Sequence, residues 1–139
     1  MIGETFVDTN ILVYARDSGF PEKQRAAIGL LEELWTNRTG RVSVQVCSEY
    51  FVTVTRKLKP GMDESSAWED IEALSAWDPI PLDYRALAKA REGQKLYGLS
   101  WWDSLILASA FQGECERIAS EDLAAGQSYF GVKAFNPLT

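Results

Sequence analysis

Four acidic residues, Asp8, Glu49, Asp103 and Asp122, are spread along a chain of 139 residues that contains no histidine. Without imidazole there is no Ser-His or Cys-His pair and no histidine metal ligand, so hydrolytic chemistry here must rest on carboxylates. Carboxylates alone favour hard cations such as magnesium or manganese, which take oxygen ligands and keep several waters. Each acid also has a plainer reading. Asp8 or Asn10 could cap a following helix, Ser100 to Asp103 fits a capping box, Glu49 suits a solvated helix face, and Ser120-Glu121-Asp122 suits a turn. Taken together the plain readings fare worse. Clustered carboxylates raise one another's pKa unless something compensates, and a divalent cation is the obvious compensator.

The pattern of apolar and polar residues predicts the elements that must position these acids. Thr5 to Asp8 reads as a short strand, followed by a helix from about Ile11 and a second helix opened by Pro21, where Ala27, Leu30, Leu31 and Leu34 recur at helical spacing. RVSV at 41–44 reads as a strand, and Val46 to Leu58 as a helix with Glu49 in its first turn. Ala67 to Trp77 reads as another helix with Trp68, Ile71 and Leu74 at helical spacing. A polar helix over 83–98 turns Leu87, Ala90 and Gln94 inward and Arg85, Lys89, Arg91 and Lys95 outward. Trp101 to Phe111 is apolar on nearly every side, as a buried central helix would be. RIAS at 117–120 and GVKAFNP at 131–137 read as the last strands.

Strands alternating with helices predict a parallel sheet in an α/β domain. In such a sheet the strand C-termini and the N-termini of the following helices share one edge, where open α/β sheets bind ligands. Asp8, Glu49 and Asp122 fall on that edge, and Asp103 joins them if its helix enters from the same side.

The length suits one domain over residues 1–139, and 46% apolar with 24% charged residues is a globular composition. A net charge of −6 argues against a generally basic surface for nucleic acid. It leaves room for a local basic groove, with Arg38, Arg41, Arg56, Lys57 and Lys59 as candidate phosphate contacts. Cys47 and Cys115, far apart and without CxxC spacing, are expected as buried free thiols. No window approaches a membrane span and the N-terminus lacks a cationic stretch leading into an apolar run, so a cytoplasmic location is expected.

Four segments together resemble the PIN-domain ribonucleases, and within them the VapC-type toxins of toxin-antitoxin pairs: FVDTNILVYA at 6–15, QVCSEYFVTVTRK at 45–57, LSWWDSLILASA at 99–110 and IASEDLAAGQ at 118–127. The resemblance implies an α/β/α sandwich of three layers with a small parallel sheet, and metal-dependent cleavage of RNA. It puts Asp8, Glu49, Asp103 and Asp122 at the catalytic and metal-binding acidic positions, with Asn10 and Ser120 as supporting polar residues and Glu121 as an extra acid. It further implies a homodimer and an antitoxin partner that directs a basic side chain, such as arginine, at the carboxylates. Trp101 is expected to pack rather than line a groove. Single-stranded or loop RNA is the expected substrate class, because exposed bases are where RNA sequence is read. Two rivals are weighed. A haloacid-type phosphatase needs a second Asp two residues after the first, where this chain has Asn10. A non-catalytic interaction module would have no need of all four acids.

Overall fold

The computed structural model describes residues 3–139; Met1 and Ile2, where the expected domain span and the N-terminal reading begin, lie outside the described residues. The chain runs β1 (Thr5–Val7), α1 (Thr9–Tyr14), α2 (Pro21–Asn37), β2 (Gly40–Arg41), α3 (Val44–Arg56), α4 (Glu64–Leu74), α5 (Tyr84–Tyr97), α6 (Trp101–Gln112), β3 (Arg117–Ala119), β4 (Ser128–Tyr129) and β5 (Val132–Phe135). A short 3-10 turn at Ser75–Trp77 follows α4. The strands form one sheet in the order β2-β1-β3-β5-β4, parallel throughout except for the antiparallel β4–β5 hairpin at one edge. Helices flank this sheet in the three-layer α/β/α arrangement. No helix among the described residues is long and apolar enough to cross a membrane.

The sheet is short but dry. All of β1 is buried, because it lies between β2 and β3 with Phe6 in register with Arg41 on one side and Ile118 on the other. Continuous apolar runs are what a strand covered on both faces requires. Helix α6 is buried from Ser104 to Ala110, as its apolar sequence predicts, and it packs on β3, β5 and α5. Ala90 of α5 packs with Leu105 and Ala108 of α6, while Gly93 leaves room for the Phe130 ring, which an added Cβ would approach to 3.1 Å. Of the residues expected inward, Ala90 is buried, Gln94 is half-buried and Leu87 is exposed. Cys47 and Cys115 are buried free thiols, as expected.

The helix starts near the acids differ from the sequence reading. Asp8, not Asn10, caps α1, which begins at Thr9 and places Asn10 inside its first turn. Helix α3 begins at Val44, because the Ser43 hydroxyl accepts a bond from the Val46 backbone N–H at 3.1 Å and ends the extended segment early. The strand expected over 41–44 is therefore cut to Gly40–Arg41, and Glu49 lies in the second turn of α3 rather than the first. Helix α4 starts at Glu64 under an Asp63 cap and turns Trp68 outward, so Ala67 and Leu74 carry the buried face.

Trp77 seals the outer end of the sheet by lying across Gly40 of β2, where an added Cβ would come within 2.5 Å of the indole. Gly40→Ala is therefore expected to lower stability by about 1–3 kcal/mol through overpacking, read as a lower urea midpoint with unchanged m-value.

Candidate functional site

The C-terminal ends of β1 and β3 lie side by side, and each hands the chain straight to polar residues. Asp8 follows β1, and its backbone N–H extends the ladder to the Ala119 carbonyl at 3.0 Å. Ser120 follows β3 and is fully buried. The Ser120 hydroxyl donates to Asp8 Oδ2 at 2.7 Å while Oδ1 accepts from the Thr9 backbone N–H at 2.7 Å. Ser120 Oγ in turn accepts from the Asp122 backbone N–H at 3.1 Å, which fixes the loop after β3.

Around this centre Glu49 and Asp122 have dedicated side-chain donors. Thr9 Oγ1 donates to Glu49 Oε1 at 2.7 Å and Gln45 Nε2 donates to Oε2 at 3.2 Å. Asn10 Nδ2 donates to Asp122 Oδ2 at 3.0 Å, and Asn10 Oδ1 accepts from the Glu121 backbone N–H at 3.4 Å. The Ser100 hydroxyl caps α6 by accepting from the Asp103 backbone N–H at 3.1 Å. The capping reading of that segment is correct, and it leaves the Asp103 carboxylate on the wall of a pocket.

That pocket has a volume of about 360 Å³, and Asp8, Glu49, Asp103, Asp122 and Asn10 all line it. Ser120 stands behind Asp8. Asp17 also lines the pocket, whereas no lysine or arginine does. Glu121 is not on the wall; it is drawn aside by Lys23 Nζ at 2.7 Å and the Tyr14 hydroxyl at 3.1 Å. None of the five basic residues marked as phosphate contacts reaches the wall. Arg41 is spent on the Trp77 and Asp78 carbonyls and Glu4, and Arg38 and Arg41 border a separate cleft with Glu4, Trp35 and Trp77.

Sequence reasoning missed Thr9, Tyr14, Phe20, Lys23, Thr53 and Trp102. Trp101 packs on Ala90, Leu105 and Ala108 as expected, while its neighbour Trp102 is 64% exposed and lines the pocket. An i, i+3 relation from Trp102 to the buried Leu105 gave no hint of this, because α6 is apolar all round and has no distinguishable face.

Crowding and burial set the electrostatics. Asp8 is only 6% exposed, and removal from water pushes its pKa up to about 6, with Asp122 and Asp103 adding to the rise and the bonds from Ser120 and Thr9 opposing it. Asp103 is also raised, first by burial and then by the charges of Asp122 and Glu49. Among the described residues, no three acidic side chains are gathered as a ready-made ligand shell. The holders explain this: the oxygens of Asp8 and Glu49 are occupied by neutral donors, which keep mutually repelling acids apart. Among the described residues the charged side chains on the wall are all carboxylates, and such a set fits a hard divalent ion, since magnesium is held through one or two carboxylates and keeps the rest of its shell as water.

The acids therefore line the C-terminal edge of a small parallel sheet in an α/β/α sandwich, the edge at which open α/β sheets bind ligands. The family model described as PIN domain matches residues 5–126, and the chain belongs to that family. No curated protein matches it significantly by sequence. Solved structures resemble it in fold. A toxin-antitoxin complex from Klebsiella pneumoniae superimposes with a TM-score of 0.68 at 19% identity, covering 96% of this chain and 98% of that one. VapBC2 from Rickettsia felis, bound to a DNA fragment from its promoter, gives 0.65 at 18% identity over 95% and 97% of the two chains. VapC20 from Mycobacterium tuberculosis, a sarcin-ricin loop cleaving toxin, gives 0.64 at 17% identity over 86% and 92%.

The raised pKa of Asp8 has a consequence for stability. The folded value of about 6 lies above the ordinary 3.8, so above pH 6 the native state carries a buried charge that the unfolded chain solvates freely. As pH falls from 6 toward 4 the native state takes up the proton first and the penalty is relieved. In chelator, Asp8→Asn is expected to be more stable than the parent by up to about 3 kcal/mol at pH 7.5, since Asn also caps helices well. The gap should close below pH 4; unfolding of both proteins in urea across this range measures it.

Proposed function

We propose that this chain is a metal-dependent endoribonuclease, the toxin of a toxin-antitoxin pair, folded as a single PIN domain over residues 1–139. One observation carries the reading: Asp8, Glu49, Asp103 and Asp122, distant in sequence, line one pocket that contains no basic side chain. Membership of the PIN family and the fold shared with toxin structures support it. The intact set of four acids favours an enzyme over a module that only binds a partner.

Asp8, Asp103 and Asp122, with Glu49, would hold magnesium or manganese. When bound, such an ion supplies Lewis-acid charge that polarises a phosphate and acidifies a water. The chain's own residues do the positioning. Ser120 and the Thr9 backbone fix the Asp8 carboxylate in plane, Thr9 Oγ1 and Gln45 aim Glu49, and Asn10 aims Asp122. These donors are preset by the start of α1 and the end of β3, so the carboxylates they hold have fixed orientations before a ligand arrives. The substrate is single-stranded or looped RNA, whose phosphodiester bond is broken by water.

The same wall of carboxylates suits control by a protein. An antitoxin placing an arginine in the pocket would gain paired, desolvated charge and exclude the metal. A homodimer acting in the cytoplasm completes the proposal.

The purified chain, free of antitoxin, is expected to cleave a mixed RNA pool in magnesium or manganese and not in chelator. Asp8→Asn should abolish cleavage, and Ser120→Ala, which removes only a holder, should lower metal affinity or activity roughly 10- to 100-fold. A folded parent protein that leaves the pool intact in either metal, and shows no metal binding by calorimetry, would refute the reading.

A further inference from the structure

Two large aromatic side chains on the pocket wall are open to solvent: Trp102 at 64% and Phe20 at 51%. Neither is explained by folding. Trp102 stands beside Asp103 on a helix whose next seven residues are all buried, so the exposed ring forgoes burial that its neighbours obtain. Phe20 occupies the N-cap of α2, a position that favours Ser, Thr, Asp or Asn, and it makes no capping bond. Its ring is nonetheless held, edge-on to Tyr14 at 5.6 Å and 86°, with Lys23 Nζ 5.8 Å from its centroid.

Lys23 has donors to spare. It gives one N–H to Glu121 Oε2 at 2.7 Å and one to the Tyr14 hydroxyl at 3.3 Å, and an ammonium carries three. A cation beside held aromatic faces is how proteins grip single-stranded nucleic acid, with phosphate on the charge and bases on the rings. The wall itself is acidic and repels phosphate, so affinity must come from the rim.

We propose that Trp102 and Phe20 are stacking platforms for unpaired bases of the RNA strand whose backbone lies over the carboxylates, with Lys23 contacting a phosphate of the same strand. This rests on the nuclease reading above and extends it: the site selects unpaired RNA by stacking, because bases within a duplex already stack on one another and cannot reach the rings. A partner protein's apolar side chains on these rings are the competing occupant.

The test measures binding of a dye-labelled, mixed-sequence single-stranded RNA pool by anisotropy in chelator, and cleavage of the same pool in manganese. Trp102→Leu and Phe20→Leu are each expected to weaken single-strand binding roughly tenfold and to raise KM with little change in kcat. Trp102→Phe, still aromatic, should retain most of the affinity, and the annealed pool should show no difference among the proteins. Both side chains are exposed, so the variants should fold, and circular dichroism verifies it. Leucine variants that bind and cleave like the parent, or a Trp102→Phe protein no better than Trp102→Leu, overturn the stacking proposal while leaving the nuclease standing. A folded parent that does not bind the pool overturns the stacking proposal, and one that also leaves it intact and takes up no metal by calorimetry overturns both.

Discussion

A carboxylate buried at the joint of two central strands is the constraint around which the rest of this structure is arranged. Asp8 ends β1, caps α1 and takes the Ser120 hydroxyl from the end of β3, so a single side chain ties together two strands and a helix. A buried ionised group is tolerable only when fully hydrogen-bonded. Both oxygens are satisfied, yet the pKa still stands near 6, which means that the bonds do not offset the loss of water. The fold therefore holds a charge there at a cost to its own stability, and such a cost is typical of sites whose compensation arrives with a ligand.

The other acids repeat this arrangement in weaker form. Asp103 lies in the first turn of α6, and Asp8 sits at the start of α1, where exposed N–H groups and the helix dipole favour negative charge. Glu49, in the second turn of α3, is beyond that help and receives two side-chain donors instead. Asp122, on a loop, is held by Asn10. Backbone is used where a helix start is available and side chains where it is not, so the pocket is assembled from local rules applied at four separated points in the chain.

Those local rules also decide what could be read in advance. The order of strands and helices was legible because β1, β3 and β5 each carry buried apolar residues between turn signals, and α2 and α5 are bounded by Pro21 and Gly98. Asp8, Asp103 and Asp122 were legible because each follows a strand or opens a helix, whereas Glu49 lies a turn further into its helix than its sequence suggested. The two-residue strand β4 carries too little pattern to register, and it exists only because Ser128 and Tyr129 pair back onto Lys133 and Val132. The start of α3 was misplaced because Val44 favours a strand by propensity, while the Ser43 cap decides the outcome. Trp101 and Trp102 have the same chemistry and adjacent positions; only the rotation of α6 against α5 sends one into the interior and the other to the pocket.

Glu121 shows how tertiary pairing edits a sequence motif. It stands between Ser120 and Asp122 and has the right chemistry to be a further ligand. Lys23 and Tyr14 take both of its oxygens, and the lysine lies over the rings of Tyr14 and Phe20 as it does so. The pairing removes one negative charge from the neighbourhood of the pocket and brings a positive one to its rim without placing it among the carboxylates. A lysine on the wall itself would neutralise the acids and compete with a metal ion. Held one step back, it balances the field outside the pocket and leaves the acids inside uncompensated, so the charge they lack has to come from a ligand.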